Sequence, residues 1–405
     1  MHTKSSIEKT RTKSRLIKFS YVLFTALLIF PLFQYHVSIF GYIGVAGLFV
    51  NDTLGLASNL EIFARGEDLN YLGILGVLLL YYPSYYIGNL FNLFINVSLL
   101  LISAHYFLKT LKCMDIDISQ KKLTIIFVFI VFNFYLLEVL LYPNKEIPLI
   151  ALTNMFFYQA IIRNNKVLIF AIIIAALLIR DGHGVILAAT YLLILFAKPV
   201  VLSRPILVLL SIFCFFSFIS IKLIAELDFL GEYNYVLQRN INLVENPDSV
   251  LSNSILNDLP SYIAFPTKVF NHFIGSVLRP QFFDLNSRLY LHGIGLWQNG
   301  LAIFLGIIFS FKILLKSSEF KSDIILAAFS VVFCLLVVSA GSYTQARYLL
   351  PYIFWLVVFP IYFLRTDTLL IFSLSCIVFS ILLFLTGYGS QIPLGIDVAP
   401  VPYFE

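Results

Sequence analysis

Long apolar runs separated by short polar segments dominate this chain. A helix that crosses a bilayer needs roughly 20 predominantly apolar residues, fewer where flanking aromatics share the crossing. Runs of this kind lie near 16–34, 88–108, 123–142, 147–161, 167–179, 185–197, 205–224, 291–311, 323–340, 349–364 and 369–386. They are continuous rather than alternating, which favours helices over the strands of a β-barrel. The expected fold class is therefore an all-α polytopic transmembrane helix bundle of about 11 spans. It forms one membrane domain over 1–405, with no internal repeat and no low-complexity tract.

The polar segments give the expected topology. With the N-terminus inside, the cytoplasmic segments are 1–15, 109–122, 162–166, 198–204, 312–322 and 365–368. Counting Lys18 with the first, they hold 18 of the 27 Lys and Arg residues; eight of the other nine fall in the outer segments, although these are longer, and Lys222 lies at the outer end of the run 205–224. This is the positive-inside pattern. Residues 71–87 are apolar, but the next run must reach Lys109 and Lys112, so only one crossing fits. We read 71–87 as a helix lying in the outer interface, completing a first outer loop over 51–87. Its tyrosines (Tyr81, Tyr82, Tyr85 and Tyr86) suit headgroup depth. A pair of tightly joined crossings is the alternative. The longest polar stretch, 225–290, is a periplasmic loop expected to fold as a few helices capping the membrane part.

Composition agrees. Sixty per cent of the residues are apolar and 12% are charged, and mean hydropathy is +0.92. About a quarter charged would be ordinary for a soluble domain. The basic N-terminal stretch KTRTKSRLIK precedes an apolar run with no small-residue cleavage site, so we expect an uncleaved first helix. The net charge of +5 is explained by topology and calls for no nucleic-acid partner. Cys113 sits in a polar loop, and Cys214, Cys334 and Cys376 lie in apolar runs. None has metal-ligand spacing.

The outer segments concentrate the chemistry. The first loop holds Asp52, Glu61, Arg65, Glu67 and Asp68. The second is YPNKE, with Asn144, Lys145 and Glu146. The third is Arg180-Asp181-Gly182-His183-Gly184. The long loop offers Arg239, Arg279, Asp284 and Arg288, and the fifth carries Arg347 and Tyr348. Ionisable groups at membrane level are usually paired or functional. Arginines hold phosphate or pyrophosphate bidentately. A carboxylate or His can take a proton from a sugar hydroxyl. Together these suit a lipid-linked sugar phosphate whose tail stays in the bilayer. The bland reading pairs Arg65 with Glu67 or Asp68, and Arg180 with Asp181. His183, between two glycines, is read as a candidate base, whereas His36, His105, His272 and His292 are read as structural. No metal motif is present, so no metal and no cofactor is expected.

The stretches Arg65-Gly66-Glu67-Asp68-Leu69-Asn70-Tyr71, Asn144-Lys145-Glu146 before a helix, Arg180-Asp181-Gly182-His183 and Arg347-Tyr348 resemble those of O-antigen polymerases and the related EpsG-like polytopic sugar polymerases. That resemblance implies a glycosyltransferase of the C-type membrane fold in a bacterial inner membrane. The growing glycan would pass from its polyprenyl pyrophosphate onto a new lipid-linked repeat unit. The base would come from Asp68, His183, Asp52 or Asp181. Arg65, Lys145, Arg180, Arg279, Arg288, Arg347 and Tyr348 would hold substrate and pyrophosphate. A chain-length regulator protein is a further implied partner.

Two other readings remain open. A polyprenyl-phosphate-dependent single-sugar transferase of the same fold often shows two acids in the first outer loop, whereas Asp52 is alone here and Glu67-Asp68 is the only adjacent pair. A flippase for lipid-linked oligosaccharide would need pseudo-symmetric halves and midplane polar residues. Polar residues at that depth are sparse, with Asn133, Glu138, Asn154 and Gln159 the main ones.

Overall fold

The computed structural model describes residues 14–27, 56, 59–66, 74–116, 118–140, 142–218, 259–275, 290–340, 346–365 and 367–368. Asp52, Asp68, Arg279, Arg288, the run 369–386 and most of 225–290 lie outside the described residues, as does the side chain of Arg347.

Among the described residues the chain is helical and contains no strand. Helix α1 spans 14–27 and α2 spans 59–64. The following helices are α3 (Leu75–Tyr81), α4 (Ser84–Ile87), α5 (Asn89–Cys113), α6 (Gln120–Val131), α7 (Phe134–Glu138) and α8 (Glu146–Phe157). A π-helical turn, Tyr158–Arg163, extends α8. Then come α9 (Lys166–Ile179), α10 (Asp181–Ser203), α11 (Pro205–Phe218) and α12 (Ser261–Phe270). The chain continues with α13 (Tyr290–Leu315), α14 (Ser322–Ala340), a 3-10 turn (Ala346–Tyr352) and α15 (Ile353–Phe363).

Among the described residues four helices are long and apolar enough to cross a membrane: Leu90–Cys113, Asp181–Ser203, Trp297–Leu315 and Ser322–Ala340. Around them, Leu90, Phe94, Val167, Phe170, Phe196 and Phe218 are exposed on α5, α9, α10 and α11. An apolar surface this extended is a liability in water and the natural outer face of a bundle in lipid. The interior is formed by α8, α14 and α15, which are buried along almost their whole lengths. Helix α8 packs on α5, α9 and the 3-10 turn, and α13 packs on α15, α14 and α7.

Several boundaries differ from the sequence reading. The run near 185–197 is a longer helix, because α10 passes through Lys198 and Pro199 and closes only where Arg204 N–H donates to Val200 O at 2.8 Å. The apolar segment 71–87 contains two short helices, with α3 packed on α9 and α4 on α5. Gly88, at φ +90°, turns the chain from α4 into α5. That backbone conformation suits glycine. The run 123–142 is broken at Phe132, where Asn133 caps α7 by accepting Leu136 N–H at 3.3 Å. A break inside lipid leaves backbone groups that need partners. Here Gln298 donates to Phe132 O at 3.2 Å, and Asn133 donates to Asn299 Oδ1 at 2.7 Å.

The other buried polar residues also act as ties. Asn154 on α8 donates to Ser103 Oγ on α5 at 2.8 Å and accepts from the Trp355 indole on α15 at 3.0 Å. His272 and Ser339 share a hydrogen bond of 3.0 Å. Close helix approach depends on glycine at Gly306, where a β-carbon would lie 2.6 Å from the Leu356 backbone. Small residues let helix backbones approach closely.

Candidate functional site

The polar residues of the second and third predicted outer segments meet at one end of the bundle. The turn before α8 is braced from within. Asn144 Oδ1 accepts Ile147 N–H at 2.9 Å, satisfying a donor of the first helical turn. Its Nδ2 donates to Asn96 Oδ1 at 3.2 Å and to Tyr142 O at 3.0 Å. Asn96 Nδ2 donates to Leu140 O at 2.8 Å, and the Tyr81 hydroxyl donates to Asn96 Oδ1. Tyr81 is fully buried, and burial pushes its phenol well above the ordinary value, so it stays a neutral donor. This network ties α3 and α5 to the turn that presents Glu146.

Glu146 opens α8, where the positive end of the helix dipole favours a carboxylate. Arg180 occupies the single-residue joint between α9 and α10. Its N–H donates to Ala176 O at 2.8 Å, closing α9, and its carbonyl accepts from His183 and Gly184 N–H at 3.0 and 3.1 Å, opening α10. Its backbone is extended, with φ −158°. The side chain reaches across the fold, and Nη2 donates to Glu146 Oε1 at 2.8 Å. The side chains are only 12% and 8% exposed. The same guanidinium lies over the Tyr348 ring, 5.2 Å from its centroid. A buried arginine–carboxylate pair backed by an aromatic ring is an electroneutral group with directional donors.

The rest of the glycine-flanked motif divides by direction. Asp181 Oδ1 accepts Gly182 N–H at 2.8 Å. His183 points into the bundle and is 3% exposed. Its Nε2 lies 2.9 Å from Thr153 Oγ1 on α8, and its ring meets Tyr352 with centroids 5.8 Å apart. Gly184 is a packing requirement, because a β-carbon there would come within 2.4 Å of Leu177 on α9. Gly182 has open space around it. Lys145 is half-buried beside Glu146, and its backbone N–H donates to Glu146 Oε2 at 3.2 Å.

Arg65 pairs with Glu61 one turn earlier on α2, and both side chains are well exposed. Arg347 lies in the 3-10 turn directly before Tyr348. Of the residues expected at the site, Lys145, Arg180, Asp181, His183 and Tyr348 are thus carried by three neighbouring elements. Glu146 is expected only as part of YPNKE, without a role of its own, and neither Asn96 nor Tyr81 is expected to support the site. A signal for Asn96 exists in the i, i+4 pair Asn92 and Asn96 within the apolar run of α5. Both are buried, on one face of α5.

Among the described residues no group of three His, Cys, Asp or Glu side chains could hold a metal ion. Compared with known proteins, the chain matches no protein family, no curated protein and no solved structure.

Proposed function

We propose that this chain is a membrane glycosyltransferase that polymerises polyprenyl-pyrophosphate-linked repeat units into a surface polysaccharide. In this reading it crosses a bacterial inner membrane 11 times, with its N-terminus in the cytoplasm, and works at the outer face. The observation that carries the reading is the Arg180–Glu146 pair seated on Tyr348 at the joint of two apolar helices. A guanidinium held there, at the end of a candidate span, is positioned for a lipid-anchored phosphate.

In the proposed reaction an acceptor sugar hydroxyl attacks the anomeric carbon of the growing glycan. The bond from that carbon to the phosphate oxygen breaks, and polyprenyl pyrophosphate leaves with the electron pair. Arg180, aided by Arg347 and the long-loop residues Arg279 and Arg288, stabilises the charge developing on the pyrophosphate. Glu146 acts as a positioning residue for Arg180. The hydroxyl proton goes to a carboxylate of the outer segments, drawn from Asp181, Asp68 and Asp52, because His183 is turned into the bundle toward Thr153.

Deletion of the gene tests the reading. The expected result is a surface glycan reduced to single repeat units, with those units accumulating on their lipid carrier at the outer face. Long chains lacking one branch sugar would instead indicate a single-sugar transferase. Units retained on the cytoplasmic side would indicate a carrier.

A further inference from the structure

We infer that the end of the bundle opposite Arg180 carries a second anion site, built on Tyr158 and shaped for a phosphate group. Eighteen residues of continuous helix, Glu146 to Arg163, separate the two ends. At 1.5 Å per residue that is about 25 Å, close to the thickness of a bilayer core.

Tyr158 is buried, with 3% of its surface exposed, and its ring forms the floor of the site. Lys109 Nζ, near the end of α5, lies 4.4 Å from the ring centroid. Arg163 Nε donates to the Tyr158 hydroxyl at 2.8 Å, and its guanidinium carbon is 5.9 Å from the same centroid. Tyr106 packs against Tyr158 with centroids 5.7 Å apart and widens the aromatic floor. The π-helical turn makes this arrangement possible. In an α-helix residues five apart diverge around the axis, whereas the wider turn brings Tyr158 and Arg163 onto one side.

Two cations are therefore fixed on one ring. Among the described residues neither Lys109 nor Arg163 forms an ion pair, whereas Lys316 and Lys321 each find a carboxylate. Snorkelling alone would leave two long side chains free to separate and hydrate. Holding like charges together instead favours a ligand that neutralises both, and phosphate oxygens accept from ammonium and guanidinium donors alike. The group would be the phosphate of a lipid headgroup in the adjoining leaflet or that of a free phosphorylated molecule. Basic pockets between helices at membrane surfaces bind such headgroups. This inference does not depend on the proposed glycosyl transfer.

The test uses the full-length protein, purified in detergent and exchanged into bilayer discs of phosphatidylcholine with a minor fraction of phosphatidylglycerol. Native mass spectrometry reads how many anionic lipids stay bound. The wild type should retain phosphatidylglycerol over phosphatidylcholine. The Lys109→Gln/Arg163→Gln double variant should retain it at least several-fold less, and Tyr158→Phe, which keeps the ring and frees Arg163, should fall between. Lys316→Gln should match the wild type. If millimolar inorganic phosphate binds and displaces the lipid in the wild type but not in the double variant, the source is a free phosphoryl group. If it does not displace the lipid, the source is the headgroup. Equal anion retention by the wild type and a folded double variant, with melting temperatures matched, would overturn the site.

Discussion

Arg180 and Glu146 lie 34 positions apart, yet they form a nearly buried ion pair of 2.8 Å that joins the α9–α10 corner to the start of α8. The pair is held from both sides. The joint fixes the Arg180 backbone through three hydrogen bonds, and the Asn144 network fixes the turn before Glu146. Removing one partner of a buried pair leaves an uncompensated charge and costs about 3–5 kcal/mol. Arg180→Ala and Glu146→Ala should each lower stability by roughly that amount, read by unfolding in mixed micelles. The double variant Arg180→Ala/Glu146→Ala should recover much of the loss, because it leaves no lone buried charge. Additive losses would show that the two residues act separately.

The same residues should separate binding from architecture. Arg180→Lys keeps a charge but loses the planar fork. We expect it to fold, to pair with Glu146 and to slow glycan chain growth at least tenfold, measured as polymer length in a deletion strain complemented with each variant. Wild-type length from Arg180→Lys would place the pyrophosphate contact elsewhere.

Two glycines of one motif should behave oppositely. A methyl at Gly184 would meet the Leu177 backbone, whereas a methyl at Gly182 meets nothing within 4 Å. Overpacking of this kind costs about 1–3 kcal/mol. Gly184→Ala should lower the melting temperature and Gly182→Ala should leave it nearly unchanged. Gly306→Ala, set against Leu356, should resemble Gly184→Ala. Equal melting of the Gly182 and Gly184 variants would contradict the packing assigned to this corner.

Lys268 offers a test by pH. It is buried on α12, outside the candidate spans, and burial pulls its ammonium from 10.5 down to about 8. Between those values the unfolded chain still holds a proton that the folded chain has released. Stability attributable to this group therefore rises as pH climbs from about 8 to about 10.5. Lys268→Met should remove that rise. At neutral pH the variant should be the more stable protein, by up to about 3 kcal/mol. The wild-type-minus-variant difference in unfolding free energy, followed across this range, isolates the effect from other titrating groups. A flat difference would show that Lys268 stays hydrated.

The helices were legible because apolar run length is a strong signal, and each predicted run carries helix where it falls within the described residues. The break at Phe132 was not legible. It depends on Gln298 and Asn299, more than 160 positions away, which supply what an unbroken ladder would have supplied. Helix α12 falls in the stretch expected to fold as a few capping helices, but its bounds were not legible, because it packs on the distant runs α11 and α14. At the site, the sequence brought Arg180 and His183 to attention but could not assign their directions. Arg180 sits in the extended joint and His183 in the first turn of α10, and Arg180 turns to Glu146 whereas His183 turns to Thr153. Glu146 stands in YPNKE, where nothing local shows that it pairs with Arg180. Its distant partner emerges only once α8 and the α9–α10 corner are packed.

The most direct test of the proposed reaction is polymerisation by the purified protein. Wild-type protein in lipid vesicles, supplied with polyprenyl-pyrophosphate-linked repeat units, should produce a ladder of longer lipid-linked glycans on a gel, and Arg180→Ala folded in the same vesicles should leave single units. A wild-type preparation that leaves every unit unextended, or that adds only one sugar to each, would contradict the account.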